Sequence, residues 1–189
     1  LGLLAGCGRT EPPVAEAPAK VFGIGDVERR EGRLWLKGTQ VAASGVLRET
    51  YASGTVKAEA QVNEGRLHGP TRGYYPSGRL QVEESFVKGV SDGPRRRFYD
   101  DDAGTLKSRE EIRDGQLHGV CQRYHPNGQL AESGRYVQGQ PDGVGESWDR
   151  SGRSLSRVRF EKGRVVEELP APPAPPMPAA PSVAQQSPP

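Results

Sequence analysis

Cysteine, histidine and methionine are nearly absent: the 189 residues include two Cys, three His and one Met, and the two cysteines, Cys7 and Cys121, stand far apart. That scarcity excludes a disulfide framework, a C-x-x-C redox pair and a zinc finger. Aromatic residues make up only 6% of the chain, and Leu, Ile, Val and Phe together number 36. So low an apolar share lies near the disordered range. Charge of one sign is lacking as well, because 26 Lys and Arg oppose 24 Asp and Glu for a net charge of +2. A disordered chain with so little apolar content usually carries strong net charge, so the near balance points to a folded chain with a shallow core. It also argues against nucleic acid as partner, since binding by counterion release needs many clustered cations. No apolar run approaches the roughly 20 residues of a spanning helix. G-x-S-x-G, H-E-x-x-H and phosphate-loop motifs are missing too, so no catalytic residue, no cofactor and no metal site is expected.

Turn formers are abundant instead: 25 Gly and 17 Pro. Three glycine series run through the centre in register. The first is Gly45, Gly69, Gly93, Gly119, Gly143; the second is Gly54, Gly78, Gly104, Gly128, Gly152; the third is Gly65, Gly89, Gly115, Gly139, Gly163. Each steps by 24 residues except for one step of 26, which falls around the third unit, where Asp100-Asp101-Asp102-Ala103-Gly104 replaces a shorter turn such as Tyr75-Pro76-Ser77-Gly78. Within a unit, Pro70, Arg72 and Tyr74 alternate with Thr71, Gly73 and Tyr75, the two-residue period of a strand. Pro-Ser-Gly or Pro-Asn-Gly then turns the chain, and an alternating return stretch follows. Each unit is therefore a β-hairpin. The fold class predicted is all-β: an elongated antiparallel β-meander of about five 24-residue hairpin repeats over residues 21–168. Two rows of same-phase residues, Thr50-Tyr74-Phe98-Tyr124-Trp148 and Val62-Phe86-Ile112-Tyr136-Phe160, are expected to form one apolar face. Lys57, Glu59, Glu83, Lys107, Arg109, Glu111, Arg135, Arg157 and Arg159 are expected on the other. Asp26 to Gly38 reads as an atypical capping hairpin before the first unit.

The ends read differently. Leu4-Ala5-Gly6-Cys7 resembles the bacterial lipobox, which implies that residues 1–7 are the end of a signal segment and that Cys7 is diacylated. Residues 8–20 read as a Pro/Ala/Glu linker. Gly8 after the Cys implies, by the enterobacterial sorting pattern, an outer-membrane anchor facing the periplasm. Cys121 is then the sole remaining thiol, read as a small buried hydrophobe, with an intermolecular disulfide as the rival. Residues 169–189 hold nine Pro, no Gly and no charged residue, which suits a disordered, polyproline II-like tail. Its Pro172-Pro173-Ala174-Pro175 fits a P-x-x-P ligand, although a solvated spacer is the plainer meaning.

Leu67-His68-Gly69-Pro70 leading to Tyr74-Tyr75-Pro76-Ser77-Gly78-Arg79-Leu80, and Leu117-His118-Gly119-Val120 leading to Tyr124-His125-Pro126-Asn127-Gly128-Gln129-Leu130, resemble the bacterial MORN-repeat variant. The capping stretch that ends in Leu36-Lys37-Gly38 and leads to Gly45 resembles YwqK-family antitoxins of toxin–antitoxin systems. Ser44, Asp92 and Asp142 stand where the other units have His, and Asp149 replaces an aromatic in the fifth unit. The resemblance implies an elongated meander and a binding role without a settled activity.

His68 and His118 share a repeat phase with Asp92 and Asp142. Same-phase residues one hairpin apart are about 10 Å distant, too far to share a metal, so turn capping is the reading for this row. Asp100 to Asp102 fail the EF-hand spacing and read as an acidic turn. Arg95, Arg97, Arg109 and Arg123 are expected on one face, with Tyr75, Tyr99 and His125 near the turns as planar anchors for a partner. The competing reading is a solvated face balanced by Glu83, Glu110 and Glu111. These readings converge on a lipid-anchored envelope protein whose sheet binds another protein, as an antitoxin or immunity factor in its narrowest form. The alternative is a structural or phospholipid-binding envelope scaffold, and self-association into a homo-oligomer is a further way to cover the apolar face.

Overall fold

A computed structural model describes residues 20–171. Cys7, the linker up to residue 19 and the Pro-rich segment from residue 172 lie outside the described residues.

The chain opens with β1 (Val21–Gly23), a single 3-10 turn (Ile24–Asp26) and a hairpin, β2 (Val27–Arg30) and β3 (Arg33–Leu36). Then comes the meander. It runs β4 (Gly45–Thr50), β5 (Val56–Asn63), β6 (Arg66–Tyr74), β7 (Leu80–Val87), β8 (Val90–Phe98) and β9 (Leu106–Arg113). It continues through β10 (Gln116–Leu117), β11 (Gly119–Tyr124), β12 (Leu130–Val137), β13 (Gln140–Pro141), β14 (Gly143–Trp148), β15 (Ser154–Glu161) and β16 (Arg164–Glu168). From β4 onward the strands pair antiparallel in sequence order in one sheet, as the glycine period predicts, with the short β10 and β13 pairing back to β9 and β12 as the first parts of the strands that β11 and β14 continue. β1, which the sequence reading missed, joins that sheet by pairing parallel with β4.

Two kinds of turn build the meander. Within the second and fourth units, Pro76 and Pro126 preset the first corner, which the other units form without Pro: Gly78 N donates to Tyr75 O and Tyr75 N to Arg79 O, both at 2.8 Å, with Gly78 at φ 85°. This is a type I turn closed by a left-handed glycine. Between units, a polar residue and a glycine occupy successive positive-φ positions, as in Lys88 (51°) with Gly89 (88°) and Asp114 (51°) with Gly115 (77°). Two consecutive positive φ values make a type I′ turn, whose twist matches that of the strands it joins. The third glycine series is thereby explained.

The type I corners carry a register shift, for example between Gly73 and Tyr74, where one extra residue sits on the return strand. Below it Arg72 pairs with Glu83, and Gly69 with Phe86. Paired residues share a face, so Tyr74 projects with Arg72 and Glu83 while Phe86 projects from the opposite side. The expected single apolar face is therefore corrected: the row of Tyr74, Phe98, Tyr124 and Trp148 lies among the ion pairs, and the row of Val62, Phe86, Ile112, Tyr136 and Phe160 lies on the other side. One face thus carries cross-strand pairs such as Arg48–Glu59 at 2.7 Å, Arg72–Glu83 at 3.0 Å and Arg157–Glu146 at 3.0 Å. We call it the ion-pair face, and its opposite the groove face.

The core is shallow, as the composition requires. Among the described residues, the buried apolar side chains are Phe22, Ala43, Val62, Ile112 and Trp148. Phe22, Ala43 and Val62 form one cluster, ringed by Val27, Leu34, Leu36, Leu47 and Leu67. The β2–β3 hairpin thus folds over the groove face of the first unit, against Phe22 of the edge strand β1, tied down by Leu34 N to Gly65 O (2.8 Å) and Gly65 N to Ala43 O (2.7 Å). This is the capping hairpin expected from Asp26 to Gly38.

Gly128 tests the turn chemistry. Its φ is 80°, and no neighbouring atom lies within 4 Å of where a Cβ would stand. Gly128→Val should destabilise the protein by about 1 kcal/mol or more through backbone strain alone. Gly128→Asn should recover most of that loss in the same chemical denaturation series, because Asn tolerates left-handed backbone.

Candidate binding groove and its charged flank

The candidate anchors Tyr75, Tyr99 and His125 have a use inside the fold. The Tyr51 hydroxyl donates to Tyr74 O at 2.7 Å, Tyr75 to Phe98 O at 2.9 Å, and Tyr99 to Tyr124 O at 2.8 Å; His125 Nε2 meets Trp148 O at 2.9 Å. Each side chain clamps its own unit to the last strand position of the next. His125, expected as an anchor for a partner, is instead a half-buried member of this row. Among the described residues no unit follows the fifth, and there Asp149 takes the same phase. It caps its own turn, accepting from Ser151 N (2.9 Å), Arg153 N (3.0 Å) and Arg153 Nε (3.1 Å).

The Ser/His/Asp row works at the opposite turns, as the capping reading has it. Ser44 Oγ accepts from Glu64 N at 2.9 Å and Asp92 Oδ2 from Asp114 N at 3.2 Å, while His68 Nδ1 and Asp142 Oδ2 stand 3.4 and 3.5 Å from Lys88 N and Lys162 N. Among the described residues no group of three or more His, Cys, Asp or Glu could hold a metal ion. The acidic turn is also accounted for: Arg79 pairs with Asp100 and Asp102, and Asp101 Oδ1 accepts from Thr105 N at 2.8 Å.

The four arginines do not share a face. Arg95 pairs in register with Glu110, Arg97 with Ser108, and Arg123 also with Ser108, all on the groove face; Arg109 lies opposite Arg96 on the ion-pair face. The correction has a simple cause, because neighbours such as Ser108 and Arg109 alternate sides along a strand. On the groove face the cations are already matched. Arg95 pairs with Glu84 and stands 3.5 Å from Glu110, and Arg97 Nη1 donates to Glu110 Oε1 at 2.6 Å. Glu110 itself is buried and also accepts from the Ser108 hydroxyl at 3.2 Å. Arg123 pairs with Glu132 at 3.0 Å but stays exposed, as its side chain retains 66% of its free surface.

Next to this charged cluster the groove face sinks. A depression of about 320 Å³ is bordered by Glu110, Arg123 and Glu132 at one end and by Tyr136, Val158 and Phe160 at the other. Its floor holds Cys121, Gly134 and Gly145. Neither Gly134 nor Gly145 has a positive φ, so the backbone does not demand glycine at either place. What matters there is the missing Cβ. One added at Gly145 would come within 2.8 Å of Phe160 Cε2, and one at Gly134 within 3.7 Å of Tyr136 Cε2, so both rings lie against bare backbone. In the preceding units the same two phases hold Arg95 with Glu110 and Thr71 with Glu84, which fill the space. Burial pushes the thiol of Cys121 above its ordinary pKa. Sequence reasoning missed this groove, although the two off-phase glycines were its visible signal.

The repeat chemistry now has a counterpart. Residues 67–88 and 117–138 match the family model of the MORN repeat variant. These chain segments carry MORN-variant repeats. Each match spans one hairpin, from its leading Leu-His through the type I corner to the first residue of the type I′ turn, and they are the second and fourth units. The other units keep the hairpin geometry while departing in sequence. No curated protein matches the chain. MORN repeats are binding and structural repeats rather than catalytic ones.

Asp149 makes the final turn acid-sensitive. Hydrogen bonds from the Ser151 hydroxyl and the Arg153 amide hold its pKa down, from 3.8 to about 2. Its stabilising contribution is therefore complete above pH 3.8 and is lost as pH falls towards about 2. Asp149→Asn should lower stability at pH 6 and flatten its decline between those two values, read from thermal midpoints across the acid limb.

Proposed function

We propose that this chain is a lipid-anchored bacterial envelope protein whose repeat sheet binds another protein on its groove face. The observation that carries this reading is the bare stretch of that face. The first unit is covered by the β2–β3 hairpin, but from Phe86 to Phe160 no second layer lies over the sheet among the described residues. Two-layer packing is what normally completes a β-domain, and an uncovered face with flat aromatic rings beside exposed arginine has the composition of an interface centre. Arg97, Arg123, Tyr136 and Phe160 form the contact set. Arg109 is excluded from it by its side of the sheet. Tyr75, Tyr99 and His125 support it indirectly by fixing the spacing of the units.

The similarity to YwqK-family antitoxins supports a narrower version, in which the partner is a toxin that the sheet neutralises. The lipobox-like Leu4-Ala5-Gly6-Cys7 supports an acyl anchor at Cys7 on the periplasmic side of the outer membrane, two or three acyl chains being enough for stable attachment. Cys7→Ser should abolish acyl labelling and release the protein from the membrane fraction; membrane retention of the unlabelled variant would refute the anchor.

A photo-crosslinking residue at Phe160, compared with one at Val120 on the ion-pair face, tests the surface. Protein adducts in intact cells should form from position 160 and be lost with Arg123→Glu. Lipid adducts in place of protein, together with co-sedimentation of the chain with anionic vesicles, would transfer support to the scaffold reading.

A further inference from the structure

We infer that the groove over Gly134 and Gly145 is a docking site for an uncharged proline-rich segment, and that its occupant is this chain's own Pro170 to Met177. The inference goes beyond the partner-binding reading and bears on it, because the segment covers Tyr136 and Phe160 and a partner reaches those rings only by displacing it; the test below uses the purified chain alone, so its failure leaves the partner reading standing.

Three observations carry it. The first is the shape of the site. Phe160 and Tyr136 lie against glycine backbone, with Val158 beside Phe160 in the wall, and aromatic rings bordering a shallow cleft are what a polyproline ridge stacks on. The second is chemical. Leu169 to Pro189 carries nine Pro and no charged residue, so it can lie over this apolar end without bringing in a charge to be desolvated, and the matched ions at Glu110, Arg123 and Glu132 close the other end. The third is position. β16 pairs with β15 so that Val158, in the groove wall, lies opposite Glu168, and Leu169 N donates to Arg157 O at 2.8 Å. The chain therefore leaves the sheet one strand from the groove wall. A polyproline segment advances about 3.1 Å per residue, whereas crossing two strands needs about 10 Å. The segment reaches with residues to spare. At the opposite end of the same face, Leu34 and Leu36 of the β2–β3 hairpin already pack against Val62.

Cys121 reports occupancy, because it lines the groove floor and is the only cysteine left once Cys7 is replaced. The experiment compares iodoacetamide alkylation of Cys121 in the Cys7→Ser chain with the same chain ending at residue 171. A tether this short gives an effective concentration of about 1 mM, so a segment with a Kd of about 0.2 mM would be docked most of the time and slow alkylation about sixfold. Deletion should remove that protection. A synthetic peptide of residues 170–189 should restore it to the shortened chain, and the same peptide with Pro172, Pro173, Pro175 and Pro176 changed to Ala should not. Phe160→Ala should remove protection from the full chain, with circular dichroism confirming that the sheet persists. Equal alkylation rates with and without the segment would overturn the inference. So would protection that appears only as protein concentration rises, which assigns the occupant to a second copy.

Discussion

The structure depends on the way each hairpin is fastened to the next at both ends. At one end, the glycine amide of every type I′ turn reaches back to a carbonyl of the preceding unit: Gly89 to Leu67 at 2.7 Å, Gly115 to Ser91 at 2.8 Å, Gly139 to Leu117 at 2.9 Å and Gly163 to Pro141 at 2.8 Å. At the other, a tyrosine hydroxyl or the His125 imidazole reaches forward to a carbonyl of the following unit. Neither fastening needs a deep core. This is how a chain with so few buried apolar side chains holds a long sheet: the stabilisation is spread along nearest-neighbour contacts, as in other repeat architectures. It also explains why the period is so strict, since a one-residue slip would detach both fastenings and invert every side chain.

The hairpins were legible because turn glycines recur whatever the intervening side chains do. The capping role of the Ser/His/Asp row was legible for the same reason, as it follows from phase alone. The sharing of faces was not. A strict alternation count from Tyr74 through the turn to Phe86 ignores the extra residue at each type I corner, and that residue shifts the return strand by one. The error placed both aromatic rows together and moved Arg109 beside Arg97. The forward clamps were hidden too, because Tyr75 and Tyr99 in a turn look like exposed aromatics until the next unit is placed against them. Gly134 and Gly145 could have been noticed, since they fall outside all three glycine series.

The charged cluster at the centre of the groove face divides that face in two. Glu84, Arg95 and Glu110 keep between 12% and 21% of their side-chain surface, a degree of burial that single charges do not tolerate. They persist because each is matched: Arg95 bridges the two glutamates, and Arg97 and Ser108 complete the shell of Glu110. Partial burial of a matched set adds little net stability, but the removal of one member leaves its partner costly. The set therefore fixes the register of the third unit, the one that carries the two-residue insertion. It also separates the apolar cap around Val62 from the groove around Phe160, so that a ligand in the second does not compete with the first.

The two ends of the sheet are finished by different means. At the start, the short β1 covers the edge of β4, and the Phe22 cluster seals the face beneath it. At the finish, every residue of β16 is exposed, and an open edge of that kind invites pairing with another chain. Three features oppose such pairing. Arg164, Glu167 and Glu168 place charges along the strand, a register shift between Arg159 and Phe160 breaks its regularity, and Arg159 holds Glu167 at 2.9 Å. Asp149 completes the termination at the turn end, where a tyrosine would have reached for a unit that does not follow. The last hairpin thus differs from its predecessors at the positions that would otherwise engage a successor. Its groove face is the exception, because Phe160 there stays half-buried at the border of the depression, and continuation of the sheet is opposed while binding across its face is left free.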